Sequence, residues 1–135
     1  MQCVATSVSG PSDVQTALTT LSSEPGGGLI VSADAFTTSH RELFIEPANS
    51  YKILAIYLPR IFAVEGGLIS YGPDYIVQFK QAAIYVDQIL RGGKPSDLPI
   101  QEPTKFQLVI NLKTAKALGL SVPLTIQMIA DEVIE

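Results

Sequence analysis

A mostly parallel α/β sheet covered by helices is the fold class this sequence predicts, on three observations. Short apolar runs alternate with helical patterns along the whole chain, the order that builds parallel sheets. Leu29-Ile30-Val31 is apolar without alternation, as a strand buried on both faces is. Gly and Pro clusters punctuate the junctions, notably at 25–28, 66–67, 72–73 and 92–95.

In chain order, Cys3 to Val8 is β-branched and apolar enough for a first strand. Ser9-Gly10-Pro11-Ser12 leads into a helix, with Pro11 at its first turn and Ser12 with Gln15 as a capping box. Val14, Ala17, Leu18 and Leu21 recur at helical spacing until Glu24-Pro25 and three glycines stop them. Leu29 to Val31 is the second strand. Ser39 with Glu42 reads as another capping box, opening a helix that Pro47 ends or kinks within about a turn. Ile53 to Tyr57 is the third strand, Pro59 to Glu65 a helical turn, and Leu68 to Tyr71 the fourth strand. Asp74 to Arg91 is the clearest helix, with Ile76, Phe79, Ala83, Val86 and Leu90 on one face. A long polar loop from Gly92 to Thr104 suits a chain travelling between structural units. Phe106 to Ile110 is the fifth strand, Leu112 to Leu118 a short helix closed by Gly119, and a last helix starts near Pro123.

The bulk numbers exclude several classes. Of 135 residues 47% are hydrophobic and 16% charged, which is the balance of a folded domain. Lys plus Arg is 9 against 13 for Asp plus Glu, a net charge of −4, and no basic stripe is present; nucleic acid is not an expected partner. The single cysteine, Cys3, rules out an internal disulfide or a Cys-based metal cluster and reads as a small core hydrophobe. His40 has no His or Cys partner in a ligand pattern, so neither a metal nor a cofactor is expected. No apolar run reaches bilayer length, and the first ten residues lack the basic start and apolar stretch of an export signal, so a soluble chain is expected.

Open parallel sheets bind ligands beyond the carboxyl ends of their strands. The residues that follow these strands are Ser7 and Ser9, then Ser32, Asp34 and Phe36, then Tyr57 and Arg60, then Ser70, Tyr71 and Asp74. Aromatic faces to stack, carboxylates and a guanidinium to fix charge, and hydroxyls to hydrogen-bond make a pocket for a small, partly apolar, partly charged molecule. Asp34, Phe36, Tyr57, Arg60, Ser70, Tyr71 and Asp74 are the expected ligand-binding residues, with the rings of Phe36, Tyr57 and Tyr71 facing one crevice. Five have a plainer alternative: Asp74 as a helix cap, Tyr57 and Tyr71 as core rings, Arg60 as a solvated loop charge and Asp34 as a turn former.

The segments S-Y-G-x-D at 70–74, G-x-K-P-x-D-L-P at 92–99 and V-I-N-L-K-T-A-K-A-L-G-L at 109–120, with VP and ADEVIE beyond, resemble the C-terminal part of ABC-transporter substrate-binding proteins of the tryptophan- and tyrosine-uptake type. The earlier V-S-A-D-A-F-T-T-S-H-R is a looser match. The resemblance implies a type I periplasmic-binding-protein fold: two flavodoxin-like lobes, a hinge of crossing strands, and ligand between them. By that likeness residues 1–65 form a second-lobe α/β portion. Residues 66–105 supply hinge strand, helix and return loop of first-lobe type, and 106–135 the return strand and C-terminal helices. It also implies an amino-acid-like ligand, an ABC permease as partner, a periplasmic or extracytoplasmic setting, and no enzymatic chemistry. In a chain with only this part, the helix face Ile76, Phe79, Ala83, Val86, Leu90 is expected to repack on the chain's own sheet or against a second copy, as a homo-oligomer or segment-exchanged dimer.

The alternatives are an α/β nucleotide- or phosphate-binding enzyme-like domain and a truncated product without a role of its own. The first rests on S-V-S-G-P-S-D, where an anion could meet a helix N-terminus. Asp13 puts negative charge at that same place, Pro25 to Gly28 precedes a strand where a phosphate loop follows one, and no G-x-S-x-G, H-E-x-x-H or Walker pattern occurs.

Overall fold

The computed structural model describes residues 3–24 and 26–135; Met1, Gln2 and the expected helix-stopping Pro25 lie outside the described residues. Five strands form one sheet in sequence order: β1 (Gly28–Val31), β2 (Leu54–Tyr57), β3 (Ile69–Pro73), β4 (Phe106–Asn111) and β5 (Glu132–Ile134). The first three run parallel, β3 and β4 are antiparallel, and β4 and β5 are parallel. Among the described residues seven α-helices accompany them: α1 (Pro11–Ser22), α2 (Ala35–Ser39), α3 (Glu42–Ser50), α4 (Arg60–Val64), α5 (Tyr75–Leu90), α6 (Leu112–Ala117) and α7 (Leu124–Ile129).

The main core cluster lies on one face of the sheet, and Ile110 of β4 is fully buried on the other. Val31, Ala55 and Tyr57 pack against Val14 and Leu18 of α1, Phe44, Ile45 and Ala48 of α3, and Phe62 of α4. The two-residue strand period sends Ile30 and Leu54 to the opposite face, where both are exposed. Only Ile69 and Ser70 of β3 pair with β2, while all five residues of β3 pair with β4. Beyond Ser70 the sheet therefore narrows to a two-stranded ribbon, Tyr71–Pro73 against Phe106–Leu108, and this ribbon carries α5.

The glycine pair before β3 has two separate causes. Gly66 adopts φ +108°, a conformation that side chains rarely take. A Cβ on Gly67 would collide with the Tyr57 ring and the Phe62 carbonyl, so the chain passes there only as glycine.

Several local expectations are corrected. Cys3 to Val8 is not a strand and Cys3 is exposed. Its β-branched composition has no ladder partner to answer it. The N-cap of α1 is Gly10, without a side-chain cap, so Ser12 and Gln15 form no capping box. The Ser39–Glu42 box is absent too: α2 ends at Ser39, and α3 begins after Arg41 with no side-chain cap. The capping box that forms is Asp34 with Thr37. As expected, α3 ends within a turn of Pro47, at Ser50, and closes at Lys52. β5 lies in a segment with no strand expected. Finally, α5 does not repack on this chain's sheet, for none of its residues is buried.

Candidate ligand-binding site

The sheet register sets Val31, Tyr57, Ser70, Val109 and Glu132 in one row across five strands. β1 and β2 end on that row, so it is the rim from which their following loops depart. Asp34 leaves β1 two residues beyond Ser32 and caps α2: its Oδ1 accepts from the Thr37 amide at 2.8 Å, and the Thr37 hydroxyl donates to the Ser32 carbonyl at 2.8 Å. This fixes an exposed carboxylate at the rim.

Phe36 is half-buried, its ring 4.7 Å from His40 and edge-on to Phe44 at 6.4 Å. Tyr57 is fully buried and stacked on Phe62 at 4.8 Å, and its hydroxyl has no hydrogen-bond partner. Burial pushes that phenol well above its ordinary pKa. Ser70, beside it on β3, is buried with an equally unpartnered hydroxyl. Arg60 donates through Nε and Nη2 to both carboxylate oxygens of Glu132, at 2.8 and 2.7 Å, a bidentate pair at the rim. Tyr71 is 52% exposed and stacks on Phe106 across the ribbon at 5.7 Å. Asp74 is buried at the N-terminus of α5, where its Oδ1 accepts from the amides of Ile76 and Val77 at 3.0 and 3.3 Å, with Lys105 Nζ at 3.4 Å. Burial works to raise the Asp74 pKa, but the Val77 amide and Lys105 outweigh it and hold the carboxyl below its usual range.

Asp34, Arg60 and Tyr71 thus stand at the surface, on the turns and ribbon that leave the sheet's carboxyl end. Tyr57, Ser70 and Asp74 point inward and serve packing or capping. The three aromatic rings do not share a crevice: each stacks on a different neighbour. The reason is strand parity, which sends Tyr57 to the helix-covered face and the adjacent Tyr71 of the next strand to the other. Two open hollows of about 270 and 500 Å³ lie elsewhere, the first lined by residues including Asn49 and Thr114, the second between α5 and the loop near Pro99. Glu132 and Phe106 are rim residues that sequence reasoning missed. Nothing in the local pattern pairs Glu132 with a residue 72 positions away.

At the start of α1 the Asp13 carboxylate accepts from the Ser9 amide at 2.9 Å and so occupies the place an anion would take. Among the described residues no group of three His, Cys, Asp or Glu side chains could hold a metal ion, and no helix is long and apolar enough to cross a membrane.

Residues 1–134 match the family model described as ABC transporter substrate binding protein. A comparison with curated proteins finds no match. Among solved structures, a conserved domain protein from Vibrio cholerae is 28% identical with a TM-score of 0.81, the match covering 91% of this chain and 41% of that one. A domain in complex with L-Trp from Streptococcus pneumoniae is 24% identical with a TM-score of 0.83, over 94% of this chain and 44% of that one. A ligand-free, open substrate-binding protein with adhesive properties from Clostridium difficile is 19% identical with a TM-score of 0.64, over 95% of this chain and 42% of that one. The chain spans less than half the length of each of these structures.

Proposed function

The chain belongs to the ABC transporter substrate-binding protein family, and from that premise we propose that it supplies one wall of a cleft that holds a small solute for uptake, without transforming it. The family is one of transport-binding proteins and not of enzymes. The observation that carries the reading is the rim: Asp34, Arg60 with Glu132, and Tyr71 with Phe106 stand on segments leaving the carboxyl end of a parallel sheet, where such sheets bind ligands.

The ligand is an amino acid with an aromatic side chain. The Tyr71–Phe106 stack offers a ring face, the Arg60–Glu132 pair offers one charge for a carboxylate and one for an ammonium, and a similar structure holds L-Trp. Tyr57, Ser70, Phe36 and Asp74 support this wall from behind. An ABC permease receives the solute outside the cytoplasm, and the opposite wall comes from polypeptide beyond these 135 residues, including a second copy where the chain acts alone. Segment 66–105 is the hinge side of this arrangement.

Isothermal titration calorimetry with L-Trp, L-Tyr, L-Phe and L-Leu tests the reading. Saturable heat with an aromatic amino acid, weakened tenfold or more by Tyr71→Ala, is expected. Heat with none of the four, from folded protein, would overturn it.

A further inference from the structure

We propose that the Arg60–Glu132 pair selects a zwitterion, with Glu132 as the residue that turns plain anions away from the guanidinium. The inference rests on the uptake reading of this rim and narrows its ligand class. A guanidinium presents two donor forks, one along its side and one at its end. Glu132 occupies the side fork, accepting from Nε at 2.8 Å and from Nη2 at 2.7 Å. Among the described residues nothing accepts from Nη1 or from the second hydrogen of Nη2. Those two groups are the end fork, which has the shape that grips a carboxylate.

Arg41 shows the closed version of the same device. It makes the same side-on pair with Glu65, its Nη2 donating at 2.7 Å, but its Nη1 is spent on the Thr38 carbonyl at 3.0 Å. Arg91, the last of the three arginines, bonds Asp87 through Nε on the exposed surface of its own helix. Of the three, Arg60 alone combines a guanidinium braced on both donors with an open end fork. It does so at the carboxyl end of the sheet, where open parallel sheets take ligands. The Arg60 and Glu132 side chains are 46% and 36% exposed, so a small solute reaches both.

Charge decides which solute. Paired with Glu132, the guanidinium keeps its donors but offers no net charge to an anion. A lone carboxylate at the end fork meets Glu132 beside it as a like charge. An amino acid meets both groups favourably. Its carboxylate takes the end fork, and its ammonium takes the outward lone pairs of Glu132, whose oxygens each accept one bond from Arg60. The free hydrogen of Nη2 and the outer lone pair of Oε1 flank the same edge of the pair. Donor and acceptor therefore stand side by side, as the two charged groups on one α-carbon do. Glu132 thus positions Arg60, attracts the ammonium and repels an acid that brings none.

Three ligands that share one ring read this: L-Trp, indole-3-propionate with the carboxylate alone, and tryptamine with the ammonium alone. Calorimetry on the unaltered chain is expected to rank L-Trp above each of the others by about tenfold or more. In Glu132→Gln, L-Trp is expected to weaken about tenfold while indole-3-propionate tightens, opposite changes that a merely structural role does not produce. Arg60→Lys, which keeps the charge without the fork, is expected to weaken L-Trp about tenfold. The Nε–H NMR signals of the three arginines locate the contact: L-Trp should move that of Arg60 and leave those of Arg41 and Arg91 in place. Equal affinity for L-Trp and indole-3-propionate, an unmoved Arg60 signal under saturating L-Trp, or equal losses for both ligands in Glu132→Gln overturns the proposal and leaves the uptake reading standing. Failure of the uptake reading is seen separately, as absence of heat with all four amino acids. If L-Trp does not bind, indole-3-propionate decides: saturable movement of the Arg60 signal in Glu132→Gln but not in the unaltered chain upholds the proposal, and movement in both or in neither overturns it.

Discussion

Asn111 donates through Nδ2 to the Ala63 carbonyl at 2.9 Å, and its Oδ1 accepts from the Thr114 amide at 3.0 Å. One buried side chain therefore closes the end of α4 and opens α6, two helices 48 residues apart. Thr114 extends the link, its hydroxyl donating to the Gly66 carbonyl at 2.9 Å, and Asn49 donates to that same oxygen at 3.0 Å. The turn entering β3 is thereby tied to both α3 and α6.

Replacing Asn111 removes the N-cap of α6 and one of the bonds to the Ala63 carbonyl, which still accepts from the Gly66 amide at 3.3 Å. Asn111→Ala is expected to cost about 1–3 kcal/mol, combining the loss of an N-cap with one lost buried hydrogen bond. Asn111→Asp keeps the acceptor for Thr114 but turns a carboxylate oxygen toward the Ala63 carbonyl, and is expected to be no better. Urea denaturation measures both; a loss below about 0.5 kcal/mol for the alanine variant would show that water replaces the side chain without penalty.

The Tyr57 and Ser70 hydroxyls predict the opposite sign. Both are buried beside each other on the sheet row, and neither has a partner. Deleting an unsatisfied buried polar group removes a desolvation penalty of about 1–3 kcal/mol. Tyr57→Phe keeps the stack on Phe62 and is expected to leave the urea midpoint unchanged or raise it. Ser70→Ala should behave alike. A fall of more than about 1 kcal/mol in either would reveal a bound water that bridges the two hydroxyls.

Where the sequence was legible, the signal was periodic and local. The apolar stripe on α5 and the short runs of β1 to β4 could be read directly, because period and length distinguish helix from strand. Asp74 could be read as a cap from its place before an apolar run. The first segment was misread because β-branched composition does not create a strand partner. β5 was missed because Glu132–Ile134 is too short to carry a pattern and exists through the edge that β4 offers it. Chain position alone says which end of the sheet a ligand candidate occupies but not which face it points to. That is why Tyr57 and Ser70 lie in the packed layer while Tyr71 lies outside. The stripe on α5 told of burial but not of what covers it.

Lys52 occupies a left-handed conformation, φ 55°, immediately after α3. The Ile53 amide donates to the Ala48 carbonyl at 2.8 Å and the Lys52 amide to Asn49 at 3.2 Å, the two bonds of a Schellman closure. Glycine is the usual residue there, since a side chain costs about 1–2 kcal/mol in that region. Lys52→Gly gives back part of this gain to the freer unfolded chain, and a net stabilisation of about 0.5–1 kcal/mol is expected. Thermal melting reads it directly, and destabilisation would mean that the lysine side chain makes a contact of its own.

Acid sensitivity should concentrate at Asp74 and Glu65. Asp74 accepts from two α5 amides and faces Lys105. Glu65 is held below the usual carboxylate range first by its hydrogen bonds from Arg41, one of them 2.7 Å long, against the opposing effect of burial. A folded-state pKa below the unfolded value means that the unfolded chain binds more protons, so stability rises with pH across that interval. The contribution is fully present above the ordinary carboxylate pKa near 4 and is lost as pH falls through the lower folded values. Stability measured by urea midpoint is therefore expected to be flat from neutral pH down to about 5 and to decline below it. Asp74→Asn should flatten part of that decline while lowering stability at neutral pH, because the amide caps α5 less strongly and no longer attracts Lys105. A decline of unchanged steepness in both Asp74→Asn and Glu65→Gln would place the acid-sensitive groups elsewhere in the chain.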